Sequence, residues 1–243
     1  MSKLAFIFPG QGAQKAGMGK DFYENSEAAR SFFDNAQEIL DFDLKEMCFG
    51  EHEELNLTEY TQPCMVSVCL AIVQELKKRG INPDITAGLS LGEYAAVAAA
   101  GGMNELNAIK LVRRRGILMQ NTVPTGEGAM AAVLGLDAKK IEEILESFEN
   151  VWIANYNCPG QIVITGLTNE VQQASLALKE AGAKRVVELK VSGPFHSLLL
   201  KPAGEALLKE MESMSFSPLQ VPYIANATAE IVTDRKKIST VFA

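Results

Sequence analysis

The sequence predicts an α/β protein built on a mainly parallel sheet, with a ferredoxin-like βαββαβ unit inserted into it. Three observations carry this prediction. Gly88-Leu89-Ser90-Leu91-Gly92 has the G-x-S-x-G form of a nucleophile elbow, set between a β-branched run and an alanine-rich one. Strand-length apolar runs alternate with runs at helical spacing in the first half of the chain. The middle of the chain reads strand, helix, strand, strand, helix, strand.

Leu4 to Phe8 is a short apolar strand, ended by the turn Pro9-Gly10-Gln11-Gly12. Pro63 to Arg79 reads as a helix, with Val66, Leu70, Val73 and Leu76 at helical spacing and Gly80 as its stop. Ile85-Thr86-Ala87 is the elbow strand. The run from Ala95 to Ala100 is helix-forming, and Gly101-Gly102 can close it. Gly88 and Gly92 suit a strained turn that leaves no room for a Cβ on either side of the nucleophile. A third helix runs from Glu105 to Gln120.

In the middle, Ala129 to Leu134 is strand-like, and Asp137 can cap a helix from Ala138 to Ser147. Short strands follow at Val151 to Ala154 and Ile162 to Thr165. Asn169 can cap a helix that Gly182 closes. Val187, Leu189 and Val191 alternate with Glu188 and Lys190, as in a half-buried strand. This places the inserted unit at 126–191, within a core formed by 1–125 and 192–243.

With 243 residues, 47% of them hydrophobic, the chain can bury a sizeable core. A net charge of −7 argues against a general nucleic-acid binder. The apolar start, Leu4 to Phe8, is too short for a signal peptide or a membrane span. Cys48, Cys64, Cys69 and Cys158 show no C-x-x-C spacing, and with two histidines in the chain a zinc site is not expected. Reduced thiols and a cytoplasmic setting are the expectation.

Ser90 is the candidate nucleophile. His196 follows the turn Ser192-Gly193-Pro194 and precedes a helix that includes Pro202 to Met214, a setting that suits a base. His52, among Glu51, Glu53 and Glu54, reads as a solvated residue. Arg113, Arg114 and Arg115 lie on a helix where successive side chains point about 100° apart, so periodicity alone does not choose among them. Neither Gly10 to Lys15 nor Gly12 to Lys20 fits a dinucleotide or P-loop fingerprint.

Together these stretches resemble the malonyl-CoA:acyl-carrier-protein transacylase family. The matching stretches are F-P-G-Q-G at Phe8 to Gly12, T-Q-P at Thr61 to Pro63, and G-x-S-L-G-E at Gly88 to Glu93. R-G-x-x-M-Q at Arg115 to Gln120, N-Y-N-C-P-G-Q at Asn155 to Gln161 and G-P-F-H at Gly193 to His196 complete the set. The resemblance implies an α/β-hydrolase-like core carrying the ferredoxin-like subdomain. It makes Ser90 the acyl-accepting nucleophile and His196 its base, and selects Arg115 as the residue that binds the malonyl carboxylate. By the same resemblance, backbone N–H groups of Gln11 and Leu91 are expected to form the oxyanion hole, and Gln62, Asn157 and Phe195 are expected to line the site. Phe195 and Leu91 match the malonyl-selective rather than the methylmalonyl-selective pattern.

The implied activity is transfer of malonyl from malonyl-CoA to the phosphopantetheine thiol of acyl carrier protein, in fatty-acid synthesis. No cofactor is implied, and a monomer is expected. Leu89 departs from the histidine that often precedes the nucleophile. The family also carries a C-terminal segment that orients the catalytic histidine; the present sequence ends at Ala243, ahead of it. Two other readings stay open on the residues: a serine thioesterase or hydrolase, and a truncated, non-catalytic remnant of the fold.

Overall fold

The computed structural model describes residues 3–124, 126–189, 191 and 193–238. Its strands are β1 (Ala5–Phe8), β2 (Ile85–Gly88), β3 (Gly128–Leu134), β4 (Val151–Cys158), β5 (Gln161–Leu167), β6 (Arg185–Glu188), β7 (Tyr223–Ile224) and β8 (Ile231–Val232). The α-helices are α1 (Lys20–Asn25), α2 (Glu27–Gln37), α3 (Leu44–Phe49), α4 (Thr58–Lys78), α5 (Gly92–Ala99), α6 (Glu105–Thr122), α7 (Ala138–Leu145), α8 (Thr168–Glu180) and α9 (Lys201–Glu212). Contacts divide the chain into two units, one of Met1–Ile117 with Ala206–Ala243 and one of Leu118–Glu205.

The first unit is built on a sheet of order β1-β2-β7-β8. β1, β2 and β7 run parallel, and β8 returns antiparallel beside β7. The parallel strands therefore deliver three turns to one edge: Pro9 onward after β1, Leu89 onward after β2, and Ala225 onward after β7. Thr86, fully buried in β2, donates its hydroxyl to the Ala96 carbonyl at 2.9 Å and ties α5 to the sheet. The small side chains of α5 are buried throughout the helix, which lets it lie close to the strands.

α4 starts at Thr58, five residues ahead of the expected Pro63, which stands inside the helix. Proline cannot donate to the Glu59 carbonyl four residues back. Arg113 makes up the loss, donating from Nη1 to that carbonyl at 2.8 Å. The donor lies 54 positions away in sequence, so local pattern could not reveal it.

In the second unit the strand order is β4-β5-β3-β6, all pairings antiparallel. With α7 after β3 and α8 after β5, this is the ferredoxin-like βαββαβ unit. β3 is buried on both faces. Ala129, Ala131 and Val133 pack against Ile141, Val171 and Leu178 of the two helices. Met130 and Ala132 pack on the opposite face with Met119, Val123, Phe195, Leu200 and Ala203. That second cluster is why the unit reaches from Leu118 to Glu205 and is wider than 126–191.

Two local expectations change. Asn169 lies inside α8 and is not its cap, because the helix begins at Thr168. β6 ends at Glu188, so the alternation at Val187, Leu189 and Val191 only partly overlaps it; Val186 turns to the helix-covered face and Val187 is exposed. Lys190 of that alternation, Ser192 of the turn before His196, and 239–243 lie outside the described residues. Among the described residues no helix is long and apolar enough to cross a membrane.

Candidate active site

Ser90 sits between β2 and α5 with φ of 50°, a left-handed conformation that costs a non-glycine residue energy. The flanking glycines have steric reasons. A Cβ on Gly88 would run into the backbone of Gly92, and a Cβ on Gly92 would stand 2.5 Å from the Phe8 carbonyl oxygen. The elbow thus folds back on itself and against the end of β1. The Leu89 N–H donates to the Phe8 carbonyl at 3.1 Å, and the Ser90 N–H donates to Asn226 Oδ1 at 2.5 Å.

The three arginines separate cleanly. Arg113 forks onto Asp41 with two bonds of 2.9 Å and pairs with Glu59 at 3.0 Å. Its guanidinium also lies over the rings of Phe42 and Tyr60, at 5.2 and 4.9 Å. Arg114 is half exposed and pairs with Glu210 at 2.6 Å. Arg115 donates from Nη2 to Ser90 Oγ at 3.2 Å and lies 5.5 Å over the Tyr94 ring. Its Nη1 is buried and lacks a well-formed hydrogen bond. A cation fork therefore stands directly beside the elbow hydroxyl.

α6 holds Arg115 there by crossing the start of α4. At Gly116 a Cβ would be 2.7 Å from the Thr58 carbonyl oxygen. Thr58 in turn accepts from Gln11 Nε2 at 3.2 Å, which brings the turn after β1 to the same place. A Cβ on Gly10 would sit 3.0 Å from the Leu89 carbonyl oxygen, so this turn runs against the elbow. Leu91 is buried at the head of α5, where the first amides of a helix have no partner within it. Gln62 is buried in α4.

His196, Phe195 and Asn157 belong to the second unit. His196 has φ of 60° and is exposed, in a turn where Ser197 Oγ donates to the Pro194 carbonyl at 2.7 Å. Phe195 is buried in the apolar cluster described above. Asn157 is exposed near the end of β4. His52 is not simply solvated: its Nε2 pairs with Glu46 Oε1 at 3.0 Å. Among the described residues no three His, Cys, Asp or Glu side chains gather in a way that could hold a metal ion.

Asn226 and Glu93 are the residues that pattern reading missed as parts of the site. Glu93 stood in the G-x-S-L-G-E stretch without a role. It is buried at 5% exposure and accepts the Asn226 N–H at 2.9 Å. Burial pushes its carboxyl up to about 7, against the opposing pull of that N–H and of the Arg115 charge.

Residues 5–240 match the acyl transferase domain model. The chain belongs to the acyl transferase domain family. It is 46% identical to the malonyl CoA-acyl carrier protein transacylase of Bacillus subtilis, the match covering 98% of this chain and 77% of that one. An acyl carrier protein S-malonyltransferase from Vibrio cholerae superposes with a TM-score of 0.95 at 41% identity, covering 99% of this chain and 80% of the other. A malonyl-transacylase solved with its type II PKS acyl-carrier protein also gives a TM-score of 0.95, at 38% identity, with the same coverage of 99% and 80%. In this acyl transferase domain, nucleophile elbow and arginine fork lie in one unit and the candidate histidine in the other.

Proposed function

We propose that this acyl transferase domain moves a malonyl group from malonyl-CoA to the phosphopantetheine thiol of acyl carrier protein, supplying fatty-acid chain elongation in the cytoplasm. Ser90 Oγ attacks the thioester carbonyl while His196 takes its proton. The N–H groups of Gln11 and Leu91 hold the oxyanion that forms. The tetrahedral species collapses, the carbon–sulfur bond breaks, and His196 returns the proton to the departing coenzyme A sulfur. The carrier thiol then gives its proton to His196, attacks the malonyl-serine, and leaves with the acyl group. Ser90 regains its proton from His196.

The observation that carries this reading is Arg115 Nη2 at 3.2 Å from Ser90 Oγ. A malonyl group has its carboxylate one methylene from the reacting carbonyl. A fork beside the nucleophile can therefore hold the anion and present the carbonyl together. An acetyl group has no carboxylate to pair with this cation. Gln62, Asn157 and Phe195 complete the proposed lining.

The test is to supply malonyl-CoA radiolabelled in its malonyl group with phosphopantetheinylated carrier protein and follow the label. Malonyl-carrier protein is the expected product. Release of free malonate in place of transfer would mean a thioesterase, and no turnover of malonyl-CoA at all would mean a fold without the activity.

A further inference from the structure

Ser90 is held in a costly backbone conformation, and a ring of hydrogen bonds maintains it. The Ser90 N–H donates to Asn226 Oδ1 at 2.5 Å, and the Asn226 N–H donates to Glu93 Oε1 at 2.9 Å. The Glu93 N–H donates back to the Ser90 carbonyl at 3.0 Å within the first turn of α5. Asn226 is itself fixed at the start of the β7–β8 hairpin loop. There the Ala225 N–H donates to the Glu230 carbonyl and the Ala229 N–H to the Ala225 carbonyl, both at 2.9 Å. The ring joins the turns after two neighbouring parallel strands, 136 positions apart in sequence.

We infer that Asn226 is a positioning residue for the nucleophile, its side-chain oxygen holding the Ser90 amide while Glu93 fixes the Asn226 backbone. Two consequences follow from the geometry. Oδ1 resists relaxation of Ser90 toward an ordinary backbone conformation, which would swing Oγ away from Arg115. The Ser90 amide is also occupied, so it is not an oxyanion donor, and that work falls to amides such as that of Leu91. Asn226 touches no reacting atom; it acts through the Ser90 backbone. The inference rests on Ser90 being the acyl acceptor.

The test uses Asn226→Leu, which keeps the branched shape and removes the acceptor, and Asn226→Asp, which keeps an acceptor. In the whole chain the Ser90 amide proton is read by NMR without substrate, and the acylation rate constant by rapid quench with malonyl-CoA. For Asn226→Leu the amide resonance should move upfield. The acylation rate constant should fall about ten- to a hundredfold, the size of effect a misplaced nucleophile brings. The malonyl-CoA concentration for half-maximal rate should change less than about twofold, since Arg115 is untouched. Asn226→Asp should move the resonance downfield and keep a higher rate constant than Asn226→Leu. Glu93→Gln, which retains an acceptor for the Asn226 N–H, should outperform Glu93→Leu. If Asn226→Leu does not fold, Asn226→Asp and the Glu93 pair carry the same comparison. An unmoved Ser90 amide in the Asn226 variants, or equal rate losses in Asp and Leu, would overturn the inference. The amide readout needs no substrate, so it separates this failure from a failure of the malonyl-transfer reading.

Discussion

Arg115 and Ser90 meet at 3.2 Å from Nη2 to Oγ, whereas Arg113 and Arg114 on the same helix are committed to carboxylates elsewhere. Three consecutive arginines thus have three different jobs. One anchors α6 on the start of α4, one makes a surface ion pair, and one presents a charged fork to the elbow.

Arg115→Ala should lower malonyl transfer by orders of magnitude and leave acetyl transfer little changed. A substrate carboxylate left without its partner forfeits about 3–5 kcal/mol by analogy with broken buried pairs. Competing malonyl-CoA and acetyl-CoA assays check this. Equal losses on both substrates would make Arg115 structural.

Arg113→Ala should destabilise the protein without changing acyl preference. It strips the donor from the Glu59 carbonyl that Pro63 cannot serve, and unpairs Asp41 and Glu59. A loss of about 2–3 kcal/mol is expected from a partly buried carbonyl and charge left unsatisfied. Arg114→Ala, which breaks an exposed pair with Glu210, should cost at most about 1 kcal/mol. Urea denaturation of the two variants should show this contrast, and similar midpoints would contradict it.

Glu93 gives a pH signature to stability. Its carboxyl holds a proton up to about 7 in the folded chain, against 4.5 as the ordinary value. Between those values the folded state binds the extra proton. Its contribution is therefore full below the unfolded value and is lost as pH rises through the folded one. The loss is up to about 3 kcal/mol. Arg115, Tyr94 and Tyr223 are the other charged or titratable groups coupled to it. Glu93→Gln stays neutral, so its stability relative to the parent should improve from about pH 4.5 to about pH 8. Parallel stability curves across that range would refute this.

How much of this was legible in the sequence depended on range. The elbow was legible because strand, strained serine and helix all lie within a few residues of Ser90. The βαββαβ order was legible because each element carries its own period, although the cluster that widens this unit from 126–191 to 118–205 draws on residues from both ends. The first turn of α4 was not legible, because Arg113 rescues it across the fold. Periodicity could not rank the arginines, since neighbours on a helix differ only in direction and the direction of the elbow comes from packing at Gly116. Nothing near residue 226 announces a link to Ser90; the parallel pairing of β2 with β7 creates it.

The most direct test of the central claim is the intact mass of the chain after brief exposure to malonyl-CoA, followed by peptide mapping. A single malonyl adduct on Ser90, absent from Ser90→Ala and discharged by carrier-protein thiol, is the expected result. An adduct on another residue with Ser90 unmodified, or no adduct under conditions where the folded chain binds malonyl-CoA, would contradict it.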